Sequence, residues 1–564
     1  MMFGKKVQRA VACFLSVGCF AACMTGCNLF IEEGEQVDAT KMQLYVGNFN
    51  QGFGKEWLEN AAERFTEWAK DKHYSDDTTG VQIFVDDMQI GSAVVNSLDN
   101  NRAEIIFNES VDYYTWIRNG NLVDITDIVK GDMGTVGESG ESIYGKMYPS
   151  AQEFYEYTDG KIYGIPFHES TYGIIYDIDL FEKNALFMDK EGNFSLRSQT
   201  DPNASVGPDG NASTSIDNGL PATFSEFYAL CDTMLVRGLQ PLTWTGKNNN
   251  YTSRFIQSMA AYLDGYKENR VKYDLEGNSE HIIASFDGNT PVLRESTPIT
   301  DQNGYLMTGT TGMYYALEFF YNLLTRTVEG DHYYNESNLM SQAYDHMNAQ
   351  DDFVRNGVSG KADTAMLIDG VWFLNEAKGT FDSISVSDPS KSASVRKFGL
   401  MPLPHPDGWG NTKFTYLETN QTICGVTKKA TEEKMDLIKD FIQFLHTDSE
   451  LQAFTETTST LRAFDYLSDY DVENGNLTPF AKQLVSLKQY IGDDVVYPIS
   501  TNNYYASNTT ELFASDTMVF SSTINGRTWN EPIRAFDSGV SARDYILGMQ
   551  EYHDESWWNG NILS

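Results

Sequence analysis

The stretch DGKIYGIPFHESTYGIIYDIDLFEKN, Asp159 to Asn184, decides how the chain is read. Asp159-Gly160 is a turn signal. The apolar run that follows is broken by Pro166, and a second run, Tyr172 to Tyr176, is rich in β-branched and aromatic residues. Extended chain on either side of a proline is what that pattern predicts. The segment closes with Asp179-Leu180-Phe181-Glu182-Lys183, the opening of a helix. Between the two runs stand His168, Glu169, Ser170 and Thr171. A strand interrupted by proline, with polar residues at the break, suits a crossover between two lobes whose polar groups face a cleft; one edge strand with a polar turn is the simpler alternative.

The rest of the chain is long enough for two lobes. It has 564 residues, 41% of them hydrophobic and 21% charged, as in an ordinary globular protein. The first residues stand apart: Lys5, Lys6 and Arg9 precede an apolar run, Ala10 to Met24, too short to span a membrane. It ends in Met24-Thr25-Gly26-Cys27, small residues ahead of a cysteine. Four of the six cysteines lie in this segment, leaving Cys231 and Cys424, which are expected to be buried small hydrophobes rather than a disulfide. The net charge is −38, and the residues ahead of Cys27 carry three positive charges and no negative ones, so the remainder stands near −41. Such acidity argues against nucleic acid or an anionic membrane surface as a partner.

In chain order the pattern is strand (Lys41 to Gly47), helix (Glu56 to Lys70), strand (Val81 to Asp86), helix (about Ser92 to Asn100) and strand (Ala103 to Phe107), which implies a parallel sheet with crossover helices. Ligands sit beyond the carboxyl ends of such strands, so Asn48, Gln51, Phe107 and Asn108 are expected on one rim. Amides there suit hydroxyl-rich ligands because each donates and accepts. Residues 189–217 read as an irregular surface insertion containing a hairpin turn at Asp189 to Asn193. Thr223 and Glu226 form a capping box, and Asp287-Gly288-Asn289 and Asp301-Gln302-Asn303-Gly304 mark hairpins.

Several segments resemble those of extracellular solute-binding lipoproteins of carbohydrate-type (family 1) ABC transporters, similar to maltose-binding-type proteins. Asp159 to Asn184 resembles their first hinge, and Met24 to Cys27 resembles a lipobox. Lys361 to Trp372 is similar to a strand ending in an aromatic residue at the cleft. Phe398 to Pro404, Thr422 to Thr427 and the helical run Glu433 to Phe454 follow in the family's order, and Ser541 to Tyr552 resembles its closing helix.

The resemblance implies an α/β, two-lobe periplasmic-binding-protein-like fold with hinge crossovers and a ligand cleft between the lobes. The implied division is a signal peptide at 1–26, a tether at 27–40, a first lobe from 41–167 plus about 422–495, and a second from about 168–421 plus 496–564. It further implies a monomer, lipid-anchored through Cys27 on the extracytoplasmic face of the bacterial cell membrane, that delivers a mono- or oligosaccharide to permease subunits. Trp372 is expected to stack on sugar, with Trp244, Trp529 and Tyr251 as further aromatic contacts and Glu169 and Asp369 as polar ones. No Gly-x-Ser-x-Gly elbow, phosphate loop, HExxH or paired CxxC is present, so no catalytic residue, cofactor or metal is expected. A cell-surface glycan-active enzyme and a receptor for peptides or other solutes are the alternatives.

Overall fold

The computed structural model describes residues 36–563 apart from 51, 90–97, 99–100, 110–112, 358–361, 411–414, 419–421, 469, 473–474, 493, 497–511 and 515–517. Cys27, Gln51, the signal segment and the helix expected near Ser92 to Asn100 therefore lie mostly or wholly outside the described residues.

Nine strands build two main sheets: β1 (Met42–Phe49), β2 (Val81–Met88), β3 (Ile105–Glu109), β4 (Gly164–Ile165), β5 (Tyr172–Asp177), β6 (Gln240–Thr243), β7 (Thr364–Gly370), β8 (Phe398–Met401) and β9 (Thr422–Val426). The first sheet has the order β2-β1-β3-β9-β4 and the second β8-β5-β7-β6. β1 pairs in parallel with both β2 and β3, while β9 returns antiparallel to β3 and β4. Parallel neighbours need crossover helices, and α1 (Glu56–Trp68) supplies the first. It buries Trp57, Leu58, Ala61, Ala62 and Phe65. Phe65 meets Phe441 of α2 (Met435–Leu445) at 5.0 Å between ring centroids. The following helix, α3 (Asp448–Thr458), also packs on α1. The two sheets, each with its own helices, form two α/β lobes.

Proline explains where the first sheet ends. Pro166 cannot donate to a ladder, so pairing stops after Ile165 and resumes in the other sheet at Tyr172. A second passage runs from β8 to β9, and a third from α3 to α4 (Pro479–Ile491). α4 belongs with the second sheet: Gln483 brackets Leu400 of β8, accepting from its N–H at 2.9 Å and donating to its C=O at 3.0 Å. This helix lies within the 422–495 span expected with the first lobe, and it packs against β8 of the second sheet. An amphipathic helix shows which face is buried but not which sheet it covers.

Smaller features follow local rules. The Thr223 capping box is present, and Asp287 to Thr290 turns a hairpin. Phe187–Met188 pairs with Phe194–Leu196 around the Asp189 turn. Asp301 to Gly304, expected as a hairpin, instead enters a 3-10 turn, Gly304–Gly309, with the Asn303 carboxamide oxygen accepting from the Thr300 N–H. Cys231 and Cys424 are buried free thiols. Among the described residues no helix is long and apolar enough to cross a membrane, and no group of three or more His, Cys, Asp or Glu could hold a metal ion.

Candidate functional site between the lobes

The crossovers lie side by side and are bonded to one another. The Phe167 N–H donates to Thr422 Oγ1 at 3.0 Å, and Thr171 Oγ1 donates to the Leu417 carbonyl at 3.1 Å. Ser170 donates through its N–H (2.8 Å) and its hydroxyl (3.0 Å) to Glu418. Glu169 is ion-paired with Lys488 of α4. Burial pushes both carboxyls up, Glu418 to about 8 with Glu169 adding repulsion, while Lys488 opposes the rise in each. Glu169 thus lies in the junction, held by Lys488.

The rim of the first sheet is formed as its topology requires. Asn48 of β1 stands opposite Phe107 of β3. Their side chains serve the rim itself. The Asn48 amide donates to Asn50 Oδ1 (2.7 Å) and to the Gly54 carbonyl (3.0 Å), closing the loop after β1. Asn108 donates to the Gln89 carbonyl at 2.9 Å and accepts from the Glu109 N–H at 2.9 Å. The Phe107 ring is buried beneath the rim against Trp57 and Phe167, with centroids at 5.1 and 5.3 Å.

In the second lobe, β5 and β7 bring distant residues together. Their register sets Asp369 opposite Gly173 and Gly370 opposite Tyr172. Trp372 follows directly, and its ring lies edge-on to Tyr172 at 4.9 Å. Tyr172 meets Tyr251 in the same manner at 5.3 Å, and Tyr251 stacks on His346 at 5.4 Å. Position 370 must be glycine, because a Cβ there would meet the Trp372 ring at 2.3 Å. The single helical turn Phe373–Glu376 returns Glu376 toward Trp372, whose side chain favours the ionised form of this carboxyl. Gln350 Nε2 donates to both Asp369 (3.0 Å) and Glu376 (2.6 Å). Burial holds Asp369 well above the usual carboxylate range, with repulsion from Glu376 adding to it; burial raises Glu376 to about 7.

The first lobe closes on this cluster. A Cβ at Gly52 would lie 4.0 Å from Trp372 Cδ1, and Lys378 pairs with Glu56 at 3.2 Å. Beside this contact a cavity of about 380 Å³ is lined by Phe53, Gly54 and Glu56 on one side and by Leu374, Asn375 and Lys378 on the other. Trp372, Asp369 and Tyr251 are therefore brought together at the junction of the lobes, Trp372 being 6% exposed. Trp244 is not part of this group: it is 1% exposed and packed against Phe320 and Tyr334. Trp529 lies in a hairpin with Ser522–Ile524, under the Arg527 guanidinium at 3.5 Å. Tyr172, His346, Gln350 and Glu376 were not singled out from sequence; only Glu376, four residues after Trp372, carried a local signal.

The buried carboxyls predict a pH dependence. Glu376 (about 7), Glu418 (about 8) and Asp217 (about 7) hold their protons more tightly folded than unfolded, where 3.8–4.5 applies. Groups raised in this way contribute stability that is lost as pH rises through the folded value. Burial lowers His446 and His553, which gives the opposite slope, but only below about 6.5. Between pH 6.5 and 8 the ligand-free protein should therefore lose about 3 °C or more of melting temperature. A flat or rising profile by differential scanning calorimetry across that window contradicts the assignment of these buried carboxyls.

No protein-family model matches the sequence, and no curated protein matches it. Solved structures do match in fold. The apo-form of RafE from Streptococcus pneumoniae aligns over 92% of this chain and 98% of its own, with 12% identity and a TM-score of 0.52. The GacH receptor of Streptomyces glaucescens, solved unliganded and with acarbose, aligns over 93% and 99%, with 12% identity and a TM-score of 0.52. A cyclic alpha-maltosyl-1,6-maltose binding protein from Arthrobacter globiformis aligns over 92% and 100%, with 12% identity and a TM-score of 0.50.

Proposed function

We propose that the chain is a receptor that captures a saccharide between its two lobes and hands it to the permease of an ABC transporter, held at the outer face of the membrane by a lipid on Cys27. The observation that carries this reading is the group at the lobe junction: Trp372, Tyr172 and Tyr251 beside Asp369, Glu376 and Gln350. Flat aromatic faces pack on the C–H face of a pyranose, and carboxyls and amides bond its hydroxyls. Among structures of the same fold, GacH is solved with acarbose and another is a cyclic alpha-maltosyl-1,6-maltose binding protein, which supports a sugar as cargo. Trp372 is the stacking residue in this reading. Asp369 and Glu376, protonated, can donate to hydroxyls; ionised, they accept. Ligand contacts to both lobes favour the closed state, which a membrane partner can then recognise.

The test is a melting-temperature screen of purified protein against neutral and charged glycans. A ligand at about 100 times its dissociation constant adds about 2.7 kcal/mol of stability, an easily measured shift. A shift with one glycan class and no product formed supports the receptor; cleavage of the glycan, or a shift with peptides alone, overturns it.

A further inference from the structure

β6 closes one edge of the second sheet, pairing in parallel with β7 so that Gln240 stands opposite Thr364. Its backbone is already paired: the Gln240 N–H donates to the Asp363 carbonyl and the Leu242 N–H to the Tyr333 carbonyl, both at 2.9 Å. Side chains from two other segments reach this edge. Asn335 caps the short turn Glu336–Leu339, its Oδ1 accepting from Ser337 Oγ at 2.6 Å and from the Asn338 N–H at 3.3 Å. Asp352 comes from the helix His346–Val354, and its Oδ2 accepts from Asn338 Nδ2 at 3.4 Å and from the Tyr344 hydroxyl at 2.9 Å. Tyr344 in turn meets Thr243 Oγ1 at 3.0 Å.

Between these groups lies a cavity of about 170 Å³, its polar wall made by Gln240, Thr243, Thr364, Asn335, Asn338 and Asp352. One water needs roughly 10–15 Å³ of such space, so there is room for a small molecule. Gln240 Nε2 is buried without a hydrogen-bond partner, and an unmet buried donor costs free energy that an acceptor from outside the chain would return. Among the described residues, Asn335 Nδ2, Asn338 Oδ1 and the Thr364 hydroxyl make no hydrogen bond either, so the wall offers both donors and acceptors. No Lys or Arg lines the cavity to hold an anion, no aromatic ring lines it, and Asp352 is its one ionisable group.

We infer that this cavity is a second ligand site, one that takes a single ring of a neutral polyol, a monosaccharide or a cyclitol, through Gln240, Asn338 and Thr364. Carboxamides suit such a ligand because each donates and accepts, as a hydroxyl does. The site is separate from the cleft. Thr364 opens β7 and Gly370 closes it, about 20 Å apart at roughly 3.3 Å per residue, and the Trp372 cluster lies beyond Gly370. The helix His346–Val354 passes both sites: Gln350 is turned to the cleft and Asp352, two residues on and so on a different face, to the cavity. The inference does not rest on the saccharide reading of the cleft.

Saturation-transfer NMR titrations of the purified protein test it, with D-glucose, myo-inositol and cyclohexanol as probes. Trp372→Ala removes the cleft's contribution, and Gln240→Leu removes the unmet donor at similar volume. The expected result is that at least one of the two polyols binds Trp372→Ala in the millimolar range. Adding Gln240→Leu should weaken that binding about tenfold or more, the loss of one buried hydrogen bond. In the parent, Gln240→Leu alone should weaken at least one polyol by the same factor, which keeps the test independent of whether Trp372→Ala folds. Leucine leaves no buried donor unmet, so that variant should melt within a few degrees of the parent, and a loss of binding stays distinct from unfolding. Binding that Trp372→Ala abolishes and Gln240→Leu leaves intact puts the polyol in the cleft; it overturns the second site and leaves the saccharide receptor standing. Cyclohexanol binding as tightly as the polyols overturns the ligand class. No binding of either polyol to any form overturns the inference.

Discussion

Lys488→Met is expected to destabilise the protein by about 3–5 kcal/mol, the usual cost of removing one partner from a buried ion pair. Lys488 is 4% exposed and is the cation beside two buried carboxyls, Glu169 in the first crossover and Glu418 in the return. Its Nζ also lies 4.7 Å from the centre of the Tyr148 ring. Methionine fills most of the volume, so the loss is electrostatic: both carboxyls, already raised by burial, must take up protons or remain charged without a counter-ion. The triple variant with Glu169→Gln and Glu418→Gln should recover most of the loss, because a neutral set of similar shape has no charge to compensate. Urea unfolding measures both. A single variant within about 1 kcal/mol of the parent would show that Lys488 does not hold the crossovers together.

Trp372→Ala is expected to weaken ligand binding by at least thirtyfold, about 2 kcal/mol, as for aromatic anchors in desolvated sites. The ring stands where the Gly52 turn of the first lobe approaches, with Tyr172 edge-on behind it. Its removal takes away a stacking face and a neighbour that favours the ionised form of Glu376. Stability should fall as well, because the indole is largely buried, so binding is measured at a temperature where the variant is folded by circular dichroism. Trp244→Ala is the control: that ring is packed against Phe320 and Tyr334, so it should lower the melting temperature while leaving affinity within about threefold. Equal affinity losses in the two variants would remove Trp372 from the site.

The contrast between these two tryptophans shows where sequence reading stops. Each follows a strand of the second sheet and is trailed by polar residues within a few positions, and nothing local separates them. Trp244 is covered by side chains from the helix Thr311–Thr325 and from the Tyr334 segment, whereas Trp372 meets the opposite lobe. The rim amides are a similar case. Asn48 and Asn108 lie on the rim that the strand order requires, yet the Asn48 amide nitrogen and both polar atoms of Asn108 are used by the turns beside them, and Asn48 Oδ1 is buried without a hydrogen-bond partner. Position was legible; availability was not.

Local rules were enough for the framework. Pro166 ends one sheet's ladder, and the β-branched run after it begins the next; the spacing of Trp57, Ala61 and Phe65 sets the buried face of the first helix; Thr223 and Glu226 cap another. Each depends on backbone chemistry or on a period of a few residues, which the sequence carries within itself. Lys488 reads in sequence as one solvated charge on an amphipathic helix, and Glu418 as one among many acidic residues. Only the meeting of three crossovers buries them together and makes each necessary to the other. Gln350, His346 and Glu376 join Tyr172 and Asp369 in the same way, through pairing of strands nearly 200 residues apart in the chain. The sequence by itself determined the strands, the hinge and the two-lobe plan. Which polar groups lose their water, and so shift their proton affinity or need a ligand, was decided by the tertiary structure, because desolvation depends on everything that packs around a group.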